Sequence, residues 1–305
     1  MSEQTSLFGF LNINKAPGLT SHDVVAHLRR AARHMTGQKV KVGHAGTLDP
    51  MATGVLIICI GPATRLSEYV MASTKRYVAR VRLGISTDTE DAEGEVIASQ
   101  DASGISQMDV ENLLPQFIGA IEQIPPMYSA IKQDGRKLYE LARKGETVER
   151  KARHVVIEQL QLRDWSDAAS HTPEFTLEIT CSAGTYIRSL ARDIGDYLGV
   201  GAHLSGLVRS ASGNFMLENA HELDKIMAAS DWAAMLIEPQ SALRSLPVVH
   251  LNASDMRDIV HGRTISRDAE IAEDVAQALA PDGRFAAILK AGDGIWRPHK
   301  VFLHT

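Results

Sequence analysis

Six consecutive apolar residues, Val55-Leu56-Ile57-Ile58-Cys59-Ile60, constrain the fold of this chain more than any other stretch. The run is short and unbroken, which predicts a buried strand. Directly ahead of it, Val42 to Gly54 is dense in Gly, Thr and Pro and holds one carboxylate, Asp49. Pro50 biases Asp49 toward extended backbone, and the glycines let the chain turn with positive φ or approach another segment closely. An acid on a constrained loop anchored by a core strand is how catalytic groups are commonly held. Taken alone, the same residues also make an ordinary Asx-type turn.

The neighbouring segments supply further strands and helices. Gly9–Asn14 alternates and predicts a strand ending at Lys15, followed by a turn at Lys15-Ala16-Pro17-Gly18. Ser21 is placed to cap a helix whose inner face carries Val24, Val25, Leu28, Ala32 and Met35. Lys75–Leu83 sets Tyr77, Ala79, Val81 and Leu83 on one face, and Arg76, Arg80 and Arg82 on the other. Asp88 to Glu95 predicts a solvated acidic turn, without the pattern of a calcium loop. Residues 128–153 are rich in Lys and Arg and include a helix expected from Lys137 to Lys144, closed by Gly145. His154–Leu162 and Glu174–Cys181 alternate like paired strands, and Thr185 is placed to cap a helix over Ile187, Leu190, Ala191, Ile194 and Leu198. From Pro247 the pattern restarts as a small, mostly β unit with a hairpin at Asp293-Gly294. Strands and helices mixed without strict alternation predict an α+β fold with a mixed, largely antiparallel sheet.

Charge is distributed unevenly. The whole chain carries −5, yet residues 1–83 carry +7 and the remainder −12. A basic N-terminal third bearing the Asp49 loop suits a phosphate backbone, although solvated charged faces segregate in the same way. Cys59 and Cys181 lie in apolar runs and read as small core residues of a reducing compartment. The first residues lack a signal-peptide pattern and no apolar stretch has membrane-span length, so a soluble cytoplasmic protein is expected.

Several motifs in order then resemble the TruB family of tRNA pseudouridine synthases. They are Asn14-Lys15-Ala16-Pro17-Gly18-Leu19-Thr20-Ser21, Gly46-Thr47-Leu48-Asp49-Pro50, Lys75-Arg76-Tyr77, Pro125-Pro126-Met127-Tyr128-Ser129-Ala130, Gly184-Thr185-Tyr186-Ile187-Arg188 and His203-Leu204-Ser205-Gly206-Leu207. The resemblance implies a pseudouridine-synthase-like catalytic domain over 1–246, with 128–153 as an RNA-clamping insertion. Residues 247–305 are then similar to a PUA-like RNA-binding domain. It implies that Asp49 is the catalytic aspartate, Tyr77 the aromatic that stacks on the target base, and Arg188 the partner of the aspartate. Tyr186 and Leu207 line the uridine pocket by the same resemblance, and His44 helps to extract the nucleotide. Two departures stand out: Pro17 is shifted within the first motif, and Val208 replaces the first of two arginines, leaving Arg209.

The implied reaction is isomerisation of the T-loop uridine conventionally numbered 55 in tRNA, after base flipping, by a monomer needing no cofactor, metal or protein partner. Breaking an N-glycosidic bond suits an ionised carboxylate near C1′, as in glycoside cleavage, and attack at pyrimidine C6 would use the same residues. Two other uses of such a cleft are a guide-RNA-dependent rRNA enzyme and a tRNA-folding chaperone, the latter compatible with catalysis.

Overall fold

The run Val55–Ile60 has no alternation because both of its faces are covered. Val55, Ile57 and Cys59 enter one apolar cluster with Phe10, Leu66, Val70 and Phe215, while Leu56, Ile58 and Ile60 enter another with Leu11, Val24 and Leu28. The computed structural model describes residues 7–129, 132–133, 136–142, 148–166, 171–268 and 270–303. The expected helix end at Lys144-Gly145 lies outside those residues.

Among the described residues a ten-stranded sheet forms the frame. Its strands are β1 (Gly9–Lys15), β2 (Val42–His44), β3 (Thr53–Ile60), β4 (Lys75–Leu83) and β5 (Gly119–Gln123) in the first half. The second half adds β6 (Arg153–Ser166), β7 (Glu174–Cys181), β8 (Ala202–Ser212), β9 (Phe215–Met216) and β10 (His221–Glu222). The order is β10-β1-β3-β8-β4-β7-β6-β5, with β2 paired to β3 and β9 to β8. Only the β1–β10 and β3–β8 ladders of this sheet are parallel, so it is mixed and largely antiparallel, as the pattern predicts.

Helix α1 (Ser21–Thr36) buries Val24, Val25, Leu28 and Ala32 on one face of the sheet. Helix α2 (Ile187–Tyr197) buries Ile187, Leu190, Ala191 and Ile194 in the same core. Strand β4 shows the expected alternation, with Tyr77, Ala79, Val81 and Leu83 inward and Arg76, Arg80 and Arg82 exposed. Gly54 joins the two parallel strands at the crowded centre. It has φ 98°, and a Cβ there would meet the Arg209 carbonyl oxygen at 2.3 Å.

Beyond the large sheet, β11 (Val248–His250), helix α3 (Ala253–Val260), β12 (Ile265–Ser266), β13 (Val275–Leu279), β14 (Phe285–Gly292) and β15 (Ile295–Val301) form a mostly β unit. Its sheet runs β11-β13-β14-β15-β12. The sequence pattern missed β13 because its alanines dilute the apolar signal. Phe285 and Ile288 of this unit share the cluster of Val55 and Ile57, and Phe302 stacks on Phe8 at 5.4 Å. No helix among the described residues is long and apolar enough to cross a membrane.

Candidate active site

Four separate segments hold the loop from Ala45 to Ala52. Ala45 N–H donates to Ile57 O at 2.8 Å and ties the loop to β3. The Lys15 ammonium, fully buried, donates to Pro50 O at 3.0 Å as well as to Ala16 O and Leu19 O. Burial pulls this ammonium down to about 8, while the Asp49 charge pulls the other way. Ser21 Oγ donates to Leu48 O at 3.0 Å and accepts from Leu48 N–H at 2.9 Å. Ser21 is therefore not the helix cap. Thr20 caps α1, and Asp23 answers it in a reciprocal capping box.

Arg209 supplies the fourth brace. It is 2% exposed, and its guanidinium donates to Val55 O at 2.7 Å, Thr47 O at 3.2 Å and Gly46 O at 3.1 Å. A planar five-donor fork is suited to collecting carbonyls in this way. Replacing Arg209 with Met removes one buried and two part-buried hydrogen bonds and is expected to cost about 3 kcal/mol, taking about 1 kcal/mol for each bond. Urea unfolding midpoints of the two proteins check this.

The braced loop delivers Asp49 to Arg188 in the first turn of α2. Arg188 Nη2 donates to Asp49 Oδ1 at 3.1 Å, and Nε lies 2.9 Å from Oδ2, off-line for a hydrogen bond but in ionic contact. The Arg188 side chain is only 5% exposed, whereas that of Asp49 keeps 32%, so the carboxylate remains open to solvent. Arg188 is itself held by Thr89 O at 3.0 Å, Tyr128 O at 2.9 Å and Asp91 Oδ2 at 3.4 Å. Burial pushes the Asp49 carboxyl above the usual range; Arg188 opposes the rise and Asp91 adds to it.

The acidic turn is not the solvated loop that its composition predicts. Glu90 and Asp91 are buried, at 8% and 4% exposure, and face arginines remote in sequence. Thr185 is likewise not a cap. Its hydroxyl donates to Ser182 O, and Tyr186 is the residue before the helix. Buried Gln123 grips Tyr186 instead, accepting from its N–H at 2.8 Å and donating to its carbonyl at 3.0 Å.

The other candidate residues lie on β2, β4 and β8 and directly ahead of α2. Tyr77 stands opposite Arg209 on the β4–β8 ladder and is 9% exposed; Leu207, opposite Ala79, is 8% exposed. Burial raises the Tyr77 and Tyr186 hydroxyls above their ordinary value. His44 ends β2, with a buried Nδ1 lacking a hydrogen-bond partner. Burial, then Arg209 and His22, hold its imidazole in the neutral form. The resemblance named all six candidates, whereas the sequence did not mark Lys15, Ser21 and Arg209 as braces of the Asp49 loop, or Glu90 and Asp91 as buried acids facing arginines.

Residues 33–187 match the family described as "TruB family pseudouridylate synthase (N terminal domain)". Residues 188–246 match "tRNA pseudouridylate synthase B C-terminal domain", and 246–303 match "tRNA Pseudouridine synthase II, C terminal". A Symbiobacterium thermophilum protein named tRNA pseudouridine synthase B is 48% identical over 254 residues, 83% of this chain and 82% of that protein. The chain belongs to the TruB family of pseudouridine synthases.

A second protein of the same name, from Syntrophomonas wolfei, is 42% identical and spans 97% of this chain and 99% of its own length. Among solved structures, a Cbf5-Nop10-Gar1 complex is similar with TM-score 0.73 at 25% identity, covering 97% of this chain and 85% of that one. Within this TruB fold, Arg209, next to Val208, is turned inward to the Asp49 loop. Arg209 therefore braces the loop and is not an exposed backbone contact.

Proposed function

We propose that this pseudouridine synthase acts on tRNA, at the T-loop uridine 55, after flipping it from the stack. The relatives named tRNA pseudouridine synthase B, 41–48% identical, support tRNA as the substrate, ahead of the more distant Cbf5-Nop10-Gar1 complex. The observation that carries the reading is the Asp49–Arg188 pair: a carboxylate gripped by a buried guanidinium yet left partly open.

In this reading ionised Asp49 meets the reacting nucleotide as the N1–C1′ bond breaks, and a C5–C1′ bond then forms with loss of the C5 proton. Addition of the carboxylate at C6 makes the same demand for an ionised acid. Arg188 keeps the acid aligned, and Tyr77 provides a flat surface on which the freed base turns. Tyr186 and Leu207 complete the pocket. Flipping costs a few kcal/mol of unstacking, which His44, the 128–153 insertion and an RNA-binding unit over 247–305 offset by contacts to the RNA. No cofactor enters this scheme, and one protomer suffices.

Purified protein incubated with a T-arm RNA, followed by pseudouridine mapping, tests the proposal. Modification of the single T-loop uridine without guide RNA or added protein is expected. Product elsewhere, or only with a guide RNA, would overturn it. Because capture opens the T-loop, the cleft is also expected to assist tRNA folding, and Asp49→Ala should leave tRNA refolding unchanged.

A further inference from the structure

Arg188 depends on two backbone acceptors, Thr89 O and Tyr128 O, that come from segments 39 residues apart. Something must keep those segments in register, and one buried acid touches what joins them. Glu90 lies between Thr89 and Asp91 with φ 63°, the positive-φ non-glycine residue of the described backbone. Its carboxylate accepts from Ser189 Oγ at 3.0 Å, the residue after Arg188 on α2. It also accepts from Arg192 Nη1, one helical turn further on. Arg150 Nη1, at the exit of the basic insertion, stands 3.9 Å away.

The two arginines extend the connection. Arg192 donates to Ile124 O at 3.1 Å, and Arg150 donates to Pro125 O at 2.9 Å, both just ahead of Tyr128. The acidic turn, the 124–128 segment, α2 and the insertion exit therefore meet on one carboxylate. Leu204 N–H, bonded to Glu90 O at 3.0 Å, fixes the same turn to β8. A non-glycine residue in the left-handed region costs of order 1–3 kcal/mol and persists where the surroundings over-determine it.

We infer that Glu90 is a positioning residue which, through Ser189, Arg192 and Arg150, holds α2, the acidic turn and the 124–128 segment together and so sets the alignment of Arg188 against Asp49. This inference rests on the reading of Asp49 and Arg188 given above. The charge of Glu90 is essential to this task. A glutamine preserves its shape and the acceptor oxygen but holds two arginines less firmly.

The test uses Glu90→Ala, Glu90→Gln and Arg150→Ala in the full chain, with single-turnover pseudouridine formation and RNA affinity measured separately. For Glu90→Ala the rate constant is expected to fall about 10- to 100-fold, the scale of a misplaced catalytic group, with affinity for the T-arm RNA unchanged. Its acidic limb should move to higher pH, because a loosened Arg188 restrains Asp49 less. Glu90→Gln should show a smaller loss in the same direction, and the Glu90→Ala/Arg150→Ala double variant should lose less than the product of the single losses. Should Glu90→Ala fail to fold, the Gln variant decides by its rate and pH limb. Wild-type rates and an unshifted limb in a folded Glu90 variant would overturn the inference, as would strictly multiplicative effects of Glu90 and Arg150. Activity surviving in Asp49→Ala would instead overturn the underlying assignment, so the two failures are distinguishable.

Discussion

Arg188→Met is expected to lower the rate of pseudouridine formation by about 10²–10³-fold at neutral pH, the scale of losing one preorganised electrostatic partner. Its pH profile carries more information than the loss itself. Burial already raises Asp49, and Arg188 is the largest influence opposing the rise. Removing the guanidinium leaves burial and Asp91 opposed only by Lys15, so the carboxyl climbs further. The active form is the ionised one, present above the pKa and lost as pH falls through it. The acidic limb of the profile should therefore move to higher pH, because an adjacent arginine favours the ionised acid and its loss does the reverse. Partial recovery of the rate on raising the pH is the accompanying sign. A uniform loss at every pH would mean that Arg188 acts on something other than the ionisation of Asp49. The substitution also breaks a buried pair, so rates belong well below the unfolding temperature, which is expected to drop with a cost of about 3–5 kcal/mol.

Elements with a local signature were legible in the sequence. Strand β4 shows strict alternation because one face packs in the core and the other stays exposed. Strand β3 is a continuous apolar run because both faces are covered. The Asp49 loop itself was visible as a Gly- and Pro-rich stretch, but the chemistry proposed for it came from resemblance to a family and not from spacing. What sequence left hidden is the non-local support. Thr20 and Ser21 are adjacent hydroxyls, and the capping signal Thr20…Asp23 was present; Ser21 is free for Leu48 only because Thr20 takes the cap. Glu90 and Asp91 look solvated by composition because Arg188 and Arg192 lie about a hundred residues away along the chain. Lys15, expected at a strand end and turn, and Arg209 are both buried beneath the loop they hold, their charges satisfied by carbonyl oxygens.

Those supports bear directly on the role proposed for Asp49. Lys15, Ser21, Arg209 and the Ala45–Ile57 bond fix the loop backbone, so Asp49 can change without releasing the frame around it. Arg188 keeps Asp91 and two carbonyl partners when the aspartate is replaced. Asp49→Ala should accordingly fold, bind RNA through unaltered contacts, and lack the one group able to attack or stabilise the sugar. A loss of at least ~10⁴-fold is the scale seen when a member of a nucleophilic catalytic unit is removed. Asp49→Asn, which keeps the shape but neither charge nor nucleophile, should fall as far.

The decisive measurement is single-turnover conversion of a T-arm RNA by the Asp49→Ala protein, with enzyme in excess and RNA affinity determined in parallel. The account predicts RNA bound as tightly as by the wild type and no pseudouridine formed on the time scale of many wild-type turnovers. Pseudouridine appearing at a rate near that of the wild type would contradict it.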